Sequence, residues 1–178
     1  MLSLMLQQVQ IEHNHNEEMN IRGFVPRNAI QAEAAIDISA SPEYVASLYR
    51  NVEKWGETFP ATIASARITK SGTNWKEIDV EHKKEGHVPN TLIDLSDTEI
   101  ALEESKRKFS ASFINRFEPA SDGTHYVIRA YISLKGIYRL LKPLLKGYVR
   151  RQAIKQMKNY VLSPLKAAAE KRLPYGPE

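Results

Sequence analysis

From residue 63 to 134 the chain runs as short segments of alternating apolar and polar residues, each closed by a turn signal. A period of two sends successive side chains to opposite faces of a strand. The segments span about 64–70, 75–83, 90–95, 99–105, 109–118 and 124–135. They are separated by Ser71-Gly72-Thr73-Asn74, Glu85-Gly86, Ser96-Asp97 and Pro119-Ala-Ser-Asp122-Gly123. Neighbouring strands joined by tight turns pair antiparallel as a meander. Upstream, Ile30, Ala32, Ala34, Ile36 and Ile38 alternate in the same way, which makes seven strands. Between that strand and the meander, Ser41 suits an N-cap, Pro42 the first helical position and Glu43 the positive end of the helix dipole. A short helix through Val45, Leu48 and Tyr49 is expected, then a second helical turn from about 52 to 58 that carries Trp55 and stops before Pro60.

Alternation assigns the faces. Ile78, Val80 and His82 share a side, as do Phe109, Ala111, Phe113, Asn115 and Phe117, and Tyr126, Ile128, Ala130, Ile132 and Leu134. The other side carries Glu77, Asp79, Glu81, Ser110, Ser112, Arg116, His125, Arg129, Ser133 and Lys135. One dry face and one wet face describe an antiparallel sheet covered on one side. The cover is helical, from Ile137 to about Arg172. Its first stripe is Leu141, Leu144, Leu145 and Tyr148. A second stripe, Ala153, Ile154, Met157, Tyr160, Val161 and Leu165, points nearly the opposite way at 100° per residue. One straight rod cannot bury both, so a break near Gly147 is expected, with a further kink at Pro164.

The chain has 178 residues, of which 42% are hydrophobic and 26% charged, enough for one domain with a core. Cysteine is absent, so disulfides, thiolate metal sites and thiol catalysis are excluded. The net charge of +4 falls short of the charge density expected of a nucleic-acid-binding protein. No apolar run approaches the ~18 residues of a membrane span. A cytoplasmic protein is expected. Met1 to Leu6 is apolar but lacks a basic flank and a cleavage site, so it does not read as a signal peptide. Residues 1–28 read as a loosely held extension, with Met19 as an alternative start, 29–173 as the folded domain and 174–178 as a tail. His13 and His15 form an H-x-H pair without further ligands at metal spacing. Nothing in the sequence calls for a metal or a cofactor, and neither a P-loop, a G-x-G-x-x-G nor a G-x-S-x-G occurs.

The order is strand, two short helices, six strands and a long C-terminal helix, an α+β helix-grip layout: a curved sheet wrapped around one helix. The chain resembles the START/Bet v 1-like (SRPBCC) superfamily, particularly its polyketide cyclase/dehydrase and lipid-transport branch. The likeness is carried by Ile36-Asp-Ile-Ser-Ala-Ser-Pro42-Glu43-Tyr-Val45, by Trp55 with Phe59-Pro60, by Phe117-Glu-Pro119-Ala-Ser-Asp122-Gly123-Thr124, and by Leu165-Lys-Ala-Ala-Ala-Glu170. It covers about residues 30–172. It implies a cavity between sheet and helix, and it leaves the ligand open, because one fold hosts many functions.

The inward positions are mainly aliphatic and aromatic, so the expected guest is a hydrophobic small molecule such as a lipid, quinone or polyketide-like compound. The residues expected to meet it are Trp55, Phe59, Ile78, Val80, His82, Phe113, Asn115, Tyr126, Ile128 and Met157. Each has a plainer reading as core or surface packing. Two alternatives stay open. One is an enzyme of the cyclase or dehydratase type, although Glu103 and Glu104 face opposite ways on a strand and cannot form a dyad, and no catalytic residue is assigned. The other is an interaction module. Residues 137–169 carry many Lys and Arg and no acidic residue, so Arg139, Lys142 and Lys146 could dock on an anionic membrane, with RNA a weaker option. The oligomeric state is not legible.

Overall fold

The computed structural model describes Pro26 and residues 28–171. The N-terminal extension, apart from its last residues, lies outside the described residues, as do the His13/His15 pair, the alternative start at Met19 and the C-terminal tail.

Seven strands form one antiparallel sheet: β1 (Ile30–Ile38), β2 (Ile63–Ser71), β3 (Trp75–His82), β4 (Gly86–Ser96), β5 (Glu99–Ser105), β6 (Phe109–Ala120) and β7 (Gly123–Leu134). Their order is β1-β7-β6-β5-β4-β3-β2, a meander whose last strand returns beside the first. β6 and β7 pair without interruption from Phe109↔Leu134 to Ala120↔Gly123. Irregularities between Ile63 and Ser65 and between Ile68 and Lys70 interrupt the β2–β3 ladder, which adds local bend and twist. β4 starts at Gly86, four residues earlier than expected. Pro89 pairs with Asp79, while pairing with β5 begins only at Asn90↔Glu104. Pro89 thus has a neighbour strand on one side alone, the edge setting that tolerates a residue without an N–H.

Two short helices follow β1. In α1 (Pro42–Arg50) the Ser41 hydroxyl accepts from the Tyr44 N–H at 3.3 Å. A 3-10 turn over Val52–Lys54 leads into α2 (Trp55–Thr58). The Trp55 indole N–H donates to the Tyr49 carbonyl at 2.7 Å, and Tyr49, Trp55 and Phe59 meet edge to face. This aromatic group is buried where α1 packs on β6 and β7 and α2 packs on β2.

The C-terminal helix is broken at Leu141, not at Gly147. α3 (Ile137–Leu140) ends there, and α4 (Lys142–Met157) runs straight through Gly147, where a Cβ would meet only open space. The conflict between the two apolar stripes is resolved without a bend because the first stripe is not buried: Leu141, Leu144 and Tyr148 are exposed. After α4 the chain makes a π turn over Lys158–Leu162 and continues as α5 (Ser163–Glu170). Pro164 accounts for the turn. It has no N–H to offer, and in a regular helix its ring would press on the carbonyl four residues back. Widening the helix relieves this, and the Ser163 N–H and hydroxyl both bond the Lys158 carbonyl. α5 buries Leu165 and Ala169, and it is tied to β1 by Lys166 Nζ to the Asp37 carbonyl (2.6 Å) and by the Ser39 N–H to Glu170 (3.1 Å).

The convex face is not uniformly wet. Ile93, Ala101 and Ile114 are buried there beneath Trp75, Leu95 and Tyr131. No described helix is long and apolar enough to cross a membrane.

Gly123 opens β7 at φ +141°, and a methyl group there would collide with the Ile38 carbonyl and the Ala40 N–H. Gly123→Ala is expected to cost roughly 2 kcal/mol or more. Urea unfolding checks this, and a midpoint equal to that of the wild type would contradict it.

Candidate functional site

α4 leans on β1 at one edge of the sheet rather than across its middle. α1, α2 and α5 fill the concave side at one end. Toward the other end a cavity of about 520 Å³ remains between the sheet and α4. Alternation supplies the walls: Val80 and His82 on β3, Leu102 on β5, Phe109, Ala111 and Phe113 on β6, Ile132 and Leu134 on β7. The helix contributes Val149, Ala153, Met157 and Val161, four positions on its inward side, and Trp55 and Phe59 close the inner end. Ala111 and Ala153 keep the space open where longer side chains would close it.

Of the residues expected to meet a guest, Trp55, Phe59, Val80, His82, Phe113 and Met157 line the cavity. Ile78, Asn115, Tyr126 and Ile128 do not. They lie on the same concave face, in the filled part of the core. The Tyr126 hydroxyl donates to Asn115 Oδ1 at 2.7 Å, Asn115 Nδ2 donates to the Ile100 carbonyl at 3.2 Å, and Phe117 stacks on Tyr126 with ring centroids 4.6 Å apart. Tyr49 reaches the same asparagine. Burial pushes the hydroxyl pKa values of Tyr49 and Tyr126 well above the ordinary range, so both stay neutral, and the Tyr126–Asn115 pair is satisfied from within. The periodicity of a strand names the face of a residue, not its depth along the sheet, and depth separates these four from the others.

At its open end the cavity carries charged groups that the sequence reading did not bring together. Lys106 Nζ lies 2.6 Å from Glu85 and 3.4 Å from Glu104, and 5.6 Å from the Phe109 ring centroid. Glu104 pairs across the sheet with Asn90 and Ala111, which both line the cavity, so its side chain faces inward. Alternation held the signal: Glu104 stands two residues after the cavity-lining Leu102, on the same face of β5. Burial raises the Glu104 pKa, and Lys106 only partly offsets it. Burial also works against the charge on Lys106, but Glu104 and Glu85 outweigh it and hold the ammonium pKa above its usual value. His82 is pushed down by burial and then by Lys106, against Glu85, so its imidazole is neutral near pH 7. With Lys106 already paired, the cluster offers hydrogen bonds to the polar end of a guest more readily than it offers an unmatched charge. Among the described residues no group of three His, Asp or Glu side chains is gathered as a metal would need.

No protein-family model matches the chain, and no curated protein matches it by sequence. Solved structures match it in shape. The Zhui aromatase/cyclase from Streptomyces sp. R1128 superposes with a TM-score of 0.65 at 17% identity, covering 83% of this chain and 98% of that one. The di-domain ARO/CYC StfQ from the steffimycin biosynthetic pathway gives 0.65 at 17% identity over 81% of this chain and 51% of its own, so this chain spans about half the length of StfQ. A START superfamily protein from Mycobacterium smegmatis gives 0.56 at 14% identity, covering 79% of this chain and 97% of that one. The fold is the START/Bet v 1-like helix grip.

Two variants separate the two ends of the concave face. Asn115→Ala strands the Tyr126 hydroxyl in a dry core and is expected to cost about 2–3 kcal/mol while leaving the cavity walls intact. Chemical denaturation alongside ligand titration checks this, and a variant of wild-type stability would contradict it. Glu104→Gln removes an ionisation that folding disfavours. Because the folded-state pKa is raised, the wild type bears that penalty above the folded pKa and loses it as pH falls below the ordinary carboxyl value of 4.5. Glu104→Gln is therefore expected to melt higher than the wild type at neutral pH, with the gap closing toward pH 4. A gap that widens on acidification would show that the pairing with Lys106 outweighs burial.

Proposed function

We propose that this helix-grip domain binds a hydrophobic small molecule in the cavity between its sheet and α4, and that it acts as a carrier or receptor for a lipid, quinone or polyketide-like compound. The observation that carries the reading is a space of about 520 Å³ with mainly apolar walls, within the ~300–1,000 Å³ typical of ligand sites. If dry and empty, that volume would cost about 12 kcal/mol at ~24 cal/mol per Å³, as much as a domain's whole stability of ~5–15 kcal/mol. Water can enter, but it finds few partners along Val80, Leu102, Phe113 and Met157. An apolar guest replaces that water with dispersion contacts. In this reading Trp55, Phe59, Phe113 and Met157 hold the apolar body, and His82 with the Lys106 cluster faces the polar end.

A second reading, an enzyme of the cyclase or dehydratase type, is favoured by one observation. A neutral, half-buried His82 faces the same cavity as the Glu85–Lys106–Glu104 cluster. A neutral imidazole can take a proton, and an ammonium beside it can stabilise a developing oxyanion. Incubation with a candidate substrate separates the two readings, since a carrier returns the compound unchanged, whereas an enzyme converts it and loses that conversion in His82→Ala.

Organic extraction and mass spectrometry of freshly purified protein test the first reading. A stoichiometric apolar compound is expected, and Ala153→Trp, which fills the cavity from the helix side, is expected to reduce its recovery more than about tenfold. A clean extract, together with no binding of fatty alcohols, quinones or aromatic polyketides, would refute ligand binding.

A further inference from the structure

We propose that the α3–α4 junction docks this protein on an anionic lipid bilayer and presents the mouth of the cavity to it. The proposal goes beyond ligand binding and is read independently of it. Three observations meet here.

The first is exposure without a folding role. Ile137 is 67% exposed, Leu140 77%, Leu144 82% and Tyr148 58%. Leu141, Leu144 and Tyr148 follow the i, i+3, i+7 spacing of one helix face. Side chains of this kind gathered on one surface mark an interaction site. The C-terminal helix could have buried this stripe only by bending at Gly147, and it does not bend there.

The second is charge. Arg139, Lys142, Lys146, Arg150 and Arg151 flank the stripe, and no acidic residue occurs between Gly136 and Ala169. Lys142 also holds the Asn28 carbonyl, which leaves its charge uncancelled. Leucines beside unbalanced cations fit one occupant best: acyl chains accept the leucines and lipid phosphates accept the cations. A nucleic acid would leave the leucines in water.

The third is continuity with the cavity. Tyr148 belongs both to the exposed stripe and to the cavity wall, and the next helical turn, through Val149 and Gln152, also lines the cavity. A bilayer seated on Leu140 and Leu144 therefore meets the opening, and an apolar guest could pass between membrane and protein with little exposure to water.

Flotation of the full chain on phosphatidylcholine vesicles, with and without phosphatidylglycerol, tests the proposal. Flotation is expected only with phosphatidylglycerol. It should weaken more than about tenfold in Leu140→Ser with Leu144→Ser, and to a similar extent in Arg139→Glu with Lys146→Glu. All four positions are exposed, so wild-type circular dichroism and melting are expected in both variants. Three results would overturn the proposal: no flotation of the wild type, equal flotation on neutral vesicles, or flotation unchanged in either variant. If sedimentation shows a dimer that Leu140→Ser with Leu144→Ser dissociates while the wild type does not float, a second copy covers the face instead. Because flotation reads docking whether or not the cavity is filled, its failure is distinguishable from a clean lipid extract.

Discussion

One helix cannot cover the concave side of a seven-stranded sheet. α4 settles along β1, and the remaining concave surface is shared between packed side chains and an unfilled space. Where α1, α2 and α5 reach, the core is solid, with Tyr49, Trp55, Phe59 and Phe117 interlocked. Beyond their reach, Phe113, Ala111, Ile132 and Leu134 face a cavity. The closed end supplies the stability that lets the open end stay hollow, since ligand sites are regularly sustained by cores elsewhere in the same domain.

Polar groups obey opposite rules at the two ends. In the closed end, Asn115 and Tyr126 are wholly buried, and each answers the other's hydrogen-bonding need. Such a pair fixes the packing and has nothing left to offer a guest. In the open end, Lys106 and Glu85 line the cavity as an ion pair that Glu104 joins through Lys106, and His82 lines the same cavity with its proton affinity lowered. Groups whose ionisation is disturbed inside a cleft are where binding or chemistry is most often found.

Most of the fold was legible in the sequence because strands, turns and caps are local. Alternation located all seven strands, and the Ser41-Pro42-Glu43 start is used as read. Pro89 hid the first part of β4, since its edge setting depends on where β5 begins. The break at Leu141 was misplaced to Gly147 on the premise that both helical stripes are buried, and burial is a tertiary fact. The site was legible by face but not by depth: Phe113 and Asn115 are two residues apart on one face of β6, yet the first meets the cavity and the second the core. Glu104 was legible by face, two residues after Leu102 on β5, but its burial beside Lys106 depends on tertiary packing.

The claim that a guest occupies the open end alone is read most directly by methyl NMR. The Met157 and Ile132 methyl groups line the cavity, whereas those of Ile100 and Ile128 belong to the solid core. On titration with a long-chain alcohol, the Met157 and Ile132 signals are expected to move in a saturable way while Ile100 and Ile128 stay in place. Signals that all remain still, or that all move together as the core loosens, would contradict the account.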